Sequence, residues 1–305
     1  MKSKLIIIRY SEIGLKAKYT RKEFENQLIY NIKKIFKKNK IKYRIEKEWG
    51  RIYLYSDENK KSITILKKIF GIKSISPAIK TETKINNISE KTLQFIKDKY
   101  SKEKKSFALR VRRSGKHNFT SQDIAIKVGQ AIVDKTGLSV DLDNPDIEIF
   151  IEVRNKKSFI YDKKILGPAG LPLGTQGKII ATIDSEEGIL AAWYMLKRGC
   201  ETFFVINDVK LIKKFNEFLN KWYITAESAM INKESENYFS NMINIISNKN
   251  IDAIVTSHSL FTNKKNSIDQ IKKIKNQLGL PILTPLISMD KKEIQKKINA
   301  VGIYK

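Results

Sequence analysis

KKILGPAGLPLGTQGKIIATIDSEEGILAAWYMLKRGC, residues 163–200, decides how the rest of the chain is read. Gly167, Pro168, Gly170, Pro172 and Gly174 crowd its first part, and that density of turn-formers predicts a shaped loop or linker. Lys178 to Ile183 is a short apolar, β-branched run, the pattern of a buried strand. From Gly188 onward, Ile189, Ala192, Trp193 and Leu196 recur three and four apart, which predicts a helix. Lys197 and Arg198 fall in its last turn and Gly199 is its stop. The unit is strand, tight turn, helix, at the start of a βαβ series. Such turns attract anions, because the free N–H groups of a helix start point at them.

Leu171-Pro-Leu-Gly-Thr-Gln-Gly177, the strand after it, Ala191-Ala-Trp193 and Met195-Leu-Lys-Arg-Gly199 together resemble the tRNA 4-thiouridine synthetases, or tRNA sulfurtransferases. The resemblance implies a pyrophosphate-loop α/β domain, similar to adenine nucleotide hydrolases. In that family the turn reads Ser-Gly-Gly-x-Asp-Ser and holds ATP, with which a tRNA uridine is adenylated before sulfur replaces its oxygen. This chain instead reads Ile183-Asp-Ser-Glu-Glu-Gly188, with three carboxylates and without the paired glycines. A carboxylate roughly 4 Å from a phosphate charge repels it by about 4 kcal/mol at an effective dielectric near 20. Lost glycines also close off near approach of the backbone. The alternative is that Glu186 and Glu187 face solvent in the first helical turn, where the dipole favours acids. The resemblance thus implies ATP and Mg2+ as cofactors, and the altered loop argues against them. Ile183, Asp184, Ser185, Gly188 and Ser257 are the nucleotide-site candidates carried over by it.

The 305 residues are enough for two or three domains, expected at 1–78, 79–166 and 167–305. The formal net charge is +27, with 50 Lys against 9 Arg, and it is unevenly spread. Residues 1–165 hold 40 basic and 19 acidic side chains, whereas residues 166–305 hold 19 and 13. The first part is therefore the expected polyanion-binding part. A membrane surface is the competing polyanion, but no apolar run approaches about 18 residues and the opening residues carry no signal-peptide pattern. A soluble, cytoplasmic protein is the expectation. The single cysteine, Cys200, excludes an internal disulfide.

Strand Leu5–Ile8, a loop from Arg9 to Lys16, a helix over about 21–38, a strand over Trp49–Tyr55, a helix end at Leu66 to Gly71 and an exit strand at Ile75 to Pro77 predict an α+β, ferredoxin-like unit. Arg9-Tyr-Ser-Glu-Ile13 resembles the opening motif of the same family and marks either an RNA-facing basic edge or a solvated turn.

Residues 107–121, Phe-Ala-Leu-Arg-Val-Arg-Arg-Ser-Gly-Lys-His-Asn-Phe-Thr-Ser, give a second sharp signal. Phe107, Leu109 and Val111 alternate with Ala108, Arg110 and Arg112, which predicts a strand with one arginine face. Arg113 to Thr120 follows as a loop, and Ser121 is placed to cap a helix. Arginine grips phosphate with a planar fork that lysine lacks. His117 and Phe119 offer rings on which an unpaired base could stack. The competing reading pairs the arginines with Asp141, Asp143 and Glu148. With Val140-Asp-Leu-Asp-Asn-Pro-Asp146 and the strand after it, this stretch resembles a THUMP domain, which implies tRNA as partner and Arg110, Arg112, Arg113, Lys116, His117, Asn118 and Phe119 as RNA contacts.

Beyond residue 200 strands and helices alternate: strands at Thr202–Ile206, Asp252–Ser257 and Pro281–Ile287, and helices at Val209–Trp222, Met230–Ile246, Ile268–Leu278 and Asp290–Ala300. A largely parallel sheet follows. Where the family has Thr-Gly-Glu-Ser, this chain has Thr256-Ser-His-Ser259. The family's sulfur transfer relies on a cysteine pair or on a cysteine in an extra domain, and Cys200 has no partner. No catalytic residue is assigned, and one Cys with two His supports neither a metal site nor a cluster. Two functions stay open: a tRNA-binding family member in tRNA thio-modification with impaired or lost adenylation, and an active sulfurtransferase that takes sulfur from an external donor. A partner modification enzyme and a homodimer also stay open.

Overall fold

The computed structural model describes residues 4–100 and 105–303, in two units. The first gathers Met1–Arg9, Phe36–Thr64 and Ser74–Leu166, and the second Tyr10–Ile35, Ile65–Lys73 and Gly167–Lys305.

As far as residue 166 the strands are β1 Leu5–Arg9, β2 Arg44–Glu48, β3 Arg51–Tyr55, β4 Ser74–Glu82, β5 Ser106–Ser114, β6 Ser139–Val140, β7 Ile147–Arg154, β8 Lys157–Tyr161 and β9 Ile165–Leu166. The helices are α1 Lys18–Lys38, α2 Asn59–Leu66, α3 Ile85–Lys99 and α4 Ser121–Thr136. The nine strands make one sheet in the order β2-β3-β1-β4-β8-β7-β5-β6, with β9 also on β4. Only β5 pairs in parallel, with β7 and β6. Alternation decides its two faces. Ile147, Ile149, Ile151 and Val153 of β7 and Phe107 of β5 pack with Ile88 and Ile96 of α3 and Ile124, Val128 and Ile132 of α4. Each fully buried isoleucine there contributes about 2 kcal/mol. The opposite face carries Leu5, Ile7, Tyr53, Phe159 and Tyr161, with Tyr53 and Phe159 stacked at 4.8 Å.

On that second face Glu152 is only 6% exposed and gathers three arginines. Arg9 Nη2 donates to it at 3.2 Å, Arg51 Nε at 2.9 Å and Arg154 Nη1 at 3.1 Å. Burial alone would raise the Glu152 carboxyl, but Arg51, Arg9 and Arg154 outweigh it and hold the carboxyl below the usual range. Arg9 also donates to Ser76 and lies 4.7 Å over the Tyr161 ring. Arg9 is therefore a structural tie and not part of an RNA-facing edge.

In the second unit β10 Gln176–Ile183, β11 Cys200–Ile206, β12 Ser228–Met230, β13 Ala253–Val255 and β14 Ile282–Leu283 alternate with α5 Glu186–Lys197, α6 Ile212–Lys221, α7 Tyr238–Lys249, α8 Leu260–Leu278 and α9 Lys291–Val301. All pairings are parallel, in the order β12-β11-β10-β13-β14. Ile179, Ala181 and Ile183 share a core with α5, α6 and α9, while Ile180 joins Tyr238 and Met242 of α7 and Leu278 of α8. The sheet is thus covered on both faces. Its chain order reverses beside β10, and in such folds ligands bind outside the strand ends at that switch point.

Five expectations need correction. Trp49 and Gly50 form the β2–β3 turn instead of opening a strand, with Gly50 at φ 74°. The charged sequence of β2, RIEKE, hid that partner strand. Residues 230–237 are not helical: Asn232 Oδ1 and Ser235 Oγ accept from backbone N–H two residues on, which stabilises turns, and α7 starts only at Tyr238. The helix expected from Ile268 begins at Leu260, capped by Ser259, and the strand expected at Pro281–Ile287 is limited to Ile282–Leu283. Thr120, not Ser121, caps α4, in a capping box with Asp123. No helix among the described residues is long and apolar enough to cross a membrane.

Candidate nucleotide-binding and RNA-binding sites

β10 ends in a fully buried run, Ile179–Ile183, and the chain turns at Asp184. Ser185 is extended and its Oγ accepts from Gly188 N at 3.3 Å, which caps α5. Gly188 is required by space: a Cβ there would meet Thr182 O at 2.8 Å and Ile183 Cα at 3.2 Å. Pairing of β10 with β13 brings Ala181 opposite Val255, so the residues just past both strands meet at the switch point.

There Asp184 is the centre. Its Oδ1 accepts from Ser257 Oγ at 3.3 Å and from Ser185 Oγ at 3.4 Å, and its Oδ2 lies 3.2 Å from Lys233 Nζ. Glu186 is held by Lys214. Four of the five candidates from the sequence are therefore in contact or adjacent: Asp184, Ser185, Gly188 and Ser257. Ile183 supports them from the core and accepts from Asn207 N through its carbonyl. Lys214 and Lys233 were not legible, because they lie 28 and 49 residues from their acids.

The other candidates for chemistry are quiet. His258 meets Thr256 Oγ1 at 2.8 Å and Gln270 Oε1 at 2.7 Å, one partner for each ring nitrogen. Cys200 is buried, and burial pushes its thiol up, away from the thiolate a nucleophile needs. No group of three His, Cys, Asp or Glu able to hold a metal ion occurs among the described residues.

On β5 the arginines part company. Arg110 Nε donates to Glu148 Oε1 at 2.7 Å and its Nη2 to Leu142 O at 2.8 Å, so the ion-pair reading describes this residue. Arg112 is exposed. Arg113 Nη1 donates to Gly115 O at 3.2 Å and lies 3.3 Å from His117 Nδ1, while His117 Nε2 meets Asn155 O at 2.8 Å. The loop is thereby held in shape before any ligand arrives. Lys116 and Asn118 are exposed. Phe119 packs against the core with its ring 5.2 Å from that of His117, and both residues are half-buried. Asp141 Oδ1 accepts from the N–H groups of Asp143 and Asn144 and shapes its own turn, while Asp146 Oδ2 accepts from those of Lys105 and Ser106 and ties that turn to the start of β5.

Comparison with known proteins matches this architecture in three parts. Residues 5–76 match the ThiI ferredoxin-like domain, residues 82–162 the THUMP domain and residues 237–305 the thiamine biosynthesis protein ThiI. The chain is 33% identical to a probable tRNA sulfurtransferase of Methanobrevibacter smithii, across 98% of this chain and 87% of that protein. It is 32% identical to one of Methanothermobacter thermautotrophicus, across 98% and 85%. Among solved structures, PH1313 of Pyrococcus horikoshii superposes with a TM-score of 0.84 at 29% identity, covering 98% of this chain and 99% of that one. A 4-thiouridine synthetase solved as an RNA complex with bound ATP superposes with a TM-score of 0.83 at 26% identity, covering 98% and 85%. The fold is the mixed α/β arrangement expected from the sequence, with a ferredoxin-like N-terminal part, a THUMP domain and a C-terminal parallel sheet. This chain belongs to the tRNA sulfurtransferase family.

Proposed function

We propose that this chain binds tRNA through its THUMP region and that its nucleotide turn no longer supports ATP-dependent adenylation. The observation that carries the second half is the position of Asp184. Its carboxylate takes the hydroxyls of Ser185 and Ser257 and pairs with Lys233 at the switch point, where an anion would otherwise sit. An ATP phosphate entering there would meet like charge, at a cost of about 4 kcal/mol before Lys233 offsets part of it. ATP with Mg2+ therefore does not fit these donors as they stand. The raised thiol of the buried Cys200 agrees, since it offers no ready sulfur carrier.

The first half rests on Arg112, Arg113, Lys116, His117 and Asn118, in a loop already ordered by its own hydrogen bonds. A similar protein was solved as a 4-thiouridine synthetase–RNA complex, which supports RNA as the class of nucleic acid. Three domains, at 1–78, 79–166 and 167–305, are the division that goes with this reading.

A second reading is favoured by one observation. The strand–turn–helix geometry and the glycine it requires are intact, and the same similar protein was solved with bound ATP. In that reading the chain is an active sulfurtransferase fed by an external sulfur donor. The two separate in one experiment: tRNA binding by filter retention, with pyrophosphate release from ATP, the product of adenylation itself, measured on the same sample. Tight tRNA binding without pyrophosphate release is the expected result. Pyrophosphate release that depends on tRNA supports the second reading, and absence of tRNA binding removes both.

A further inference from the structure

The two edges of the nine-stranded sheet are guarded unequally. β2, at one edge, reads Arg-Ile-Glu-Lys-Glu, so charges of both signs stand along it. Exposed edges are commonly blunted in this way, because their free N–H and C=O groups pair readily with another chain. β6, at the other edge, is Ser139–Val140, and Leu142 follows two residues on. Val140 is 56% exposed and Leu142 60%. Among the described residues β6 has a strand on one side alone, β5.

The segment is well held for so short a strand. Ser139 N donates to Lys105 O at 2.9 Å and Asp141 N to Phe107 O at 3.0 Å, both toward β5. Alternation along the strand therefore turns the N–H and C=O of Val140 outward, to the open edge. Just beyond, Arg110 Nη2 donates to Leu142 O at 2.8 Å, and Asp141 Oδ1 accepts from the N–H groups of Asp143 and Asn144. The edge is thus formed before any partner arrives.

Charge decides what fits it. The chain carries +27, yet residues 134–148 hold five acids, Asp134, Asp141, Asp143, Asp146 and Glu148, against Lys135 alone. Arg110 pairs with Glu148, and Asp134 and Asp143 are exposed. Such a rim repels RNA and an anionic membrane alike. A two-fold pair of this chain through β6 would set the same acids against each other. A segment in which lysine or arginine alternates with apolar residues meets every feature. Its backbone pairs with Val140, its apolar side chains cover Val140 and Leu142, and its cations face the acids.

We propose that β6 is a docking edge for a basic, extended segment of a partner protein, which joins the sheet as a further strand. The contact goes beyond tRNA binding and does not depend on it.

The test titrates the full chain into fluorescein-labelled peptides and reads anisotropy. One peptide alternates lysine and valine, and the other carries the same residues in two blocks. The alternating peptide should bind about tenfold more tightly than the blocked one, less so as salt rises, and should slow amide exchange at Val140. Val140→Pro removes the outward N–H and should weaken the alternating peptide about tenfold. Asp143→Asn removes one exposed acid and should weaken it about threefold. Filter retention of tRNA should be unchanged in both variants. Thermal melting checks the fold, and Asp143→Asn with the blocked peptide carries the test if Val140→Pro melts early. Equal binding of the two peptides, binding of neither, or binding that neither variant weakens would overturn the docking edge. Slowed exchange at Val140 on adding tRNA alone, or on concentrating the protein alone, would overturn it too, giving the edge to RNA or to a second copy. Loss of tRNA binding by the wild type would remove the tRNA reading and leave this one standing.

Discussion

Two carboxylates in this molecule sit among cations, with opposite consequences. Glu152, on the nine-stranded sheet, is buried under Arg9, Arg51 and Arg154, so one acid is outnumbered and its surroundings stay positive. Asp184, at the switch point of the parallel sheet, is part-exposed and meets one lysine and two hydroxyls. At Glu152 the acid ties three largely buried arginines to the sheet. At Asp184 it takes up donors that a phosphate would need. Residue type alone does not separate these roles; burial and the number of cations in contact do.

The largest expected effect tests the first member of the pair. Glu152→Gln leaves three arginines crowded around a neutral amide, and stability should fall by about 3 kcal/mol in urea unfolding. A loss below about 1 kcal/mol would mean that the node is slack. The pH dependence follows from the lowered Glu152 carboxyl. Its contribution is complete above the ordinary glutamate pKa and is lost as pH falls through the lower folded value. Acid unfolding of the wild type should therefore be steeper than that of Glu152→Gln.

The next effect concerns the exposed arginines of β5. Replacing Arg112 and Arg113 together by Ala should lower the log–log salt slope of tRNA binding by about two at most. If slope and affinity stay unchanged, the cluster is not the contact surface. The smallest effect belongs to Asp184. Asp184→Asn keeps the shape and gives up one part-exposed ion pair, so stability should change by less than about 1 kcal/mol. A loss as large as that of Glu152→Gln would erase the contrast between the two acids.

Much of this was legible in the sequence. The run from Lys178 to Ile183 and the periodicity after Gly188 gave the strand and helix that position the switch point. The alternation from Phe107 to Arg112 gave the sheet faces of β5. Asp290 and Glu293 announced the capping box of α9. The contacts between distant segments were not legible. Glu152 collects Arg9 from 143 residues away and Arg51 from 101. Asp184 meets Ser257 from 73 residues away. No local period encodes such meetings; they follow from strand order. β2 was missed for another reason, since its exposed charged residues lack the apolar alternation that marks a half-buried strand. Residues 230–237 were misread because apolar spacing suggested a helix while Asn232 and Ser235 offered the backbone a turn.

The central claim is that Asp184 closes the nucleotide turn, and calorimetric titration of ATP and Mg2+ into the tRNA-bound protein tests it directly. The wild type should show no binding up to millimolar ATP, and Asp184→Gly should gain measurable binding, because it removes the carboxylate and frees Ser257 and Lys233 for a phosphate. Micromolar binding by the wild type, with none gained by Asp184→Gly, would contradict the account and mean that the altered turn still cradles phosphate.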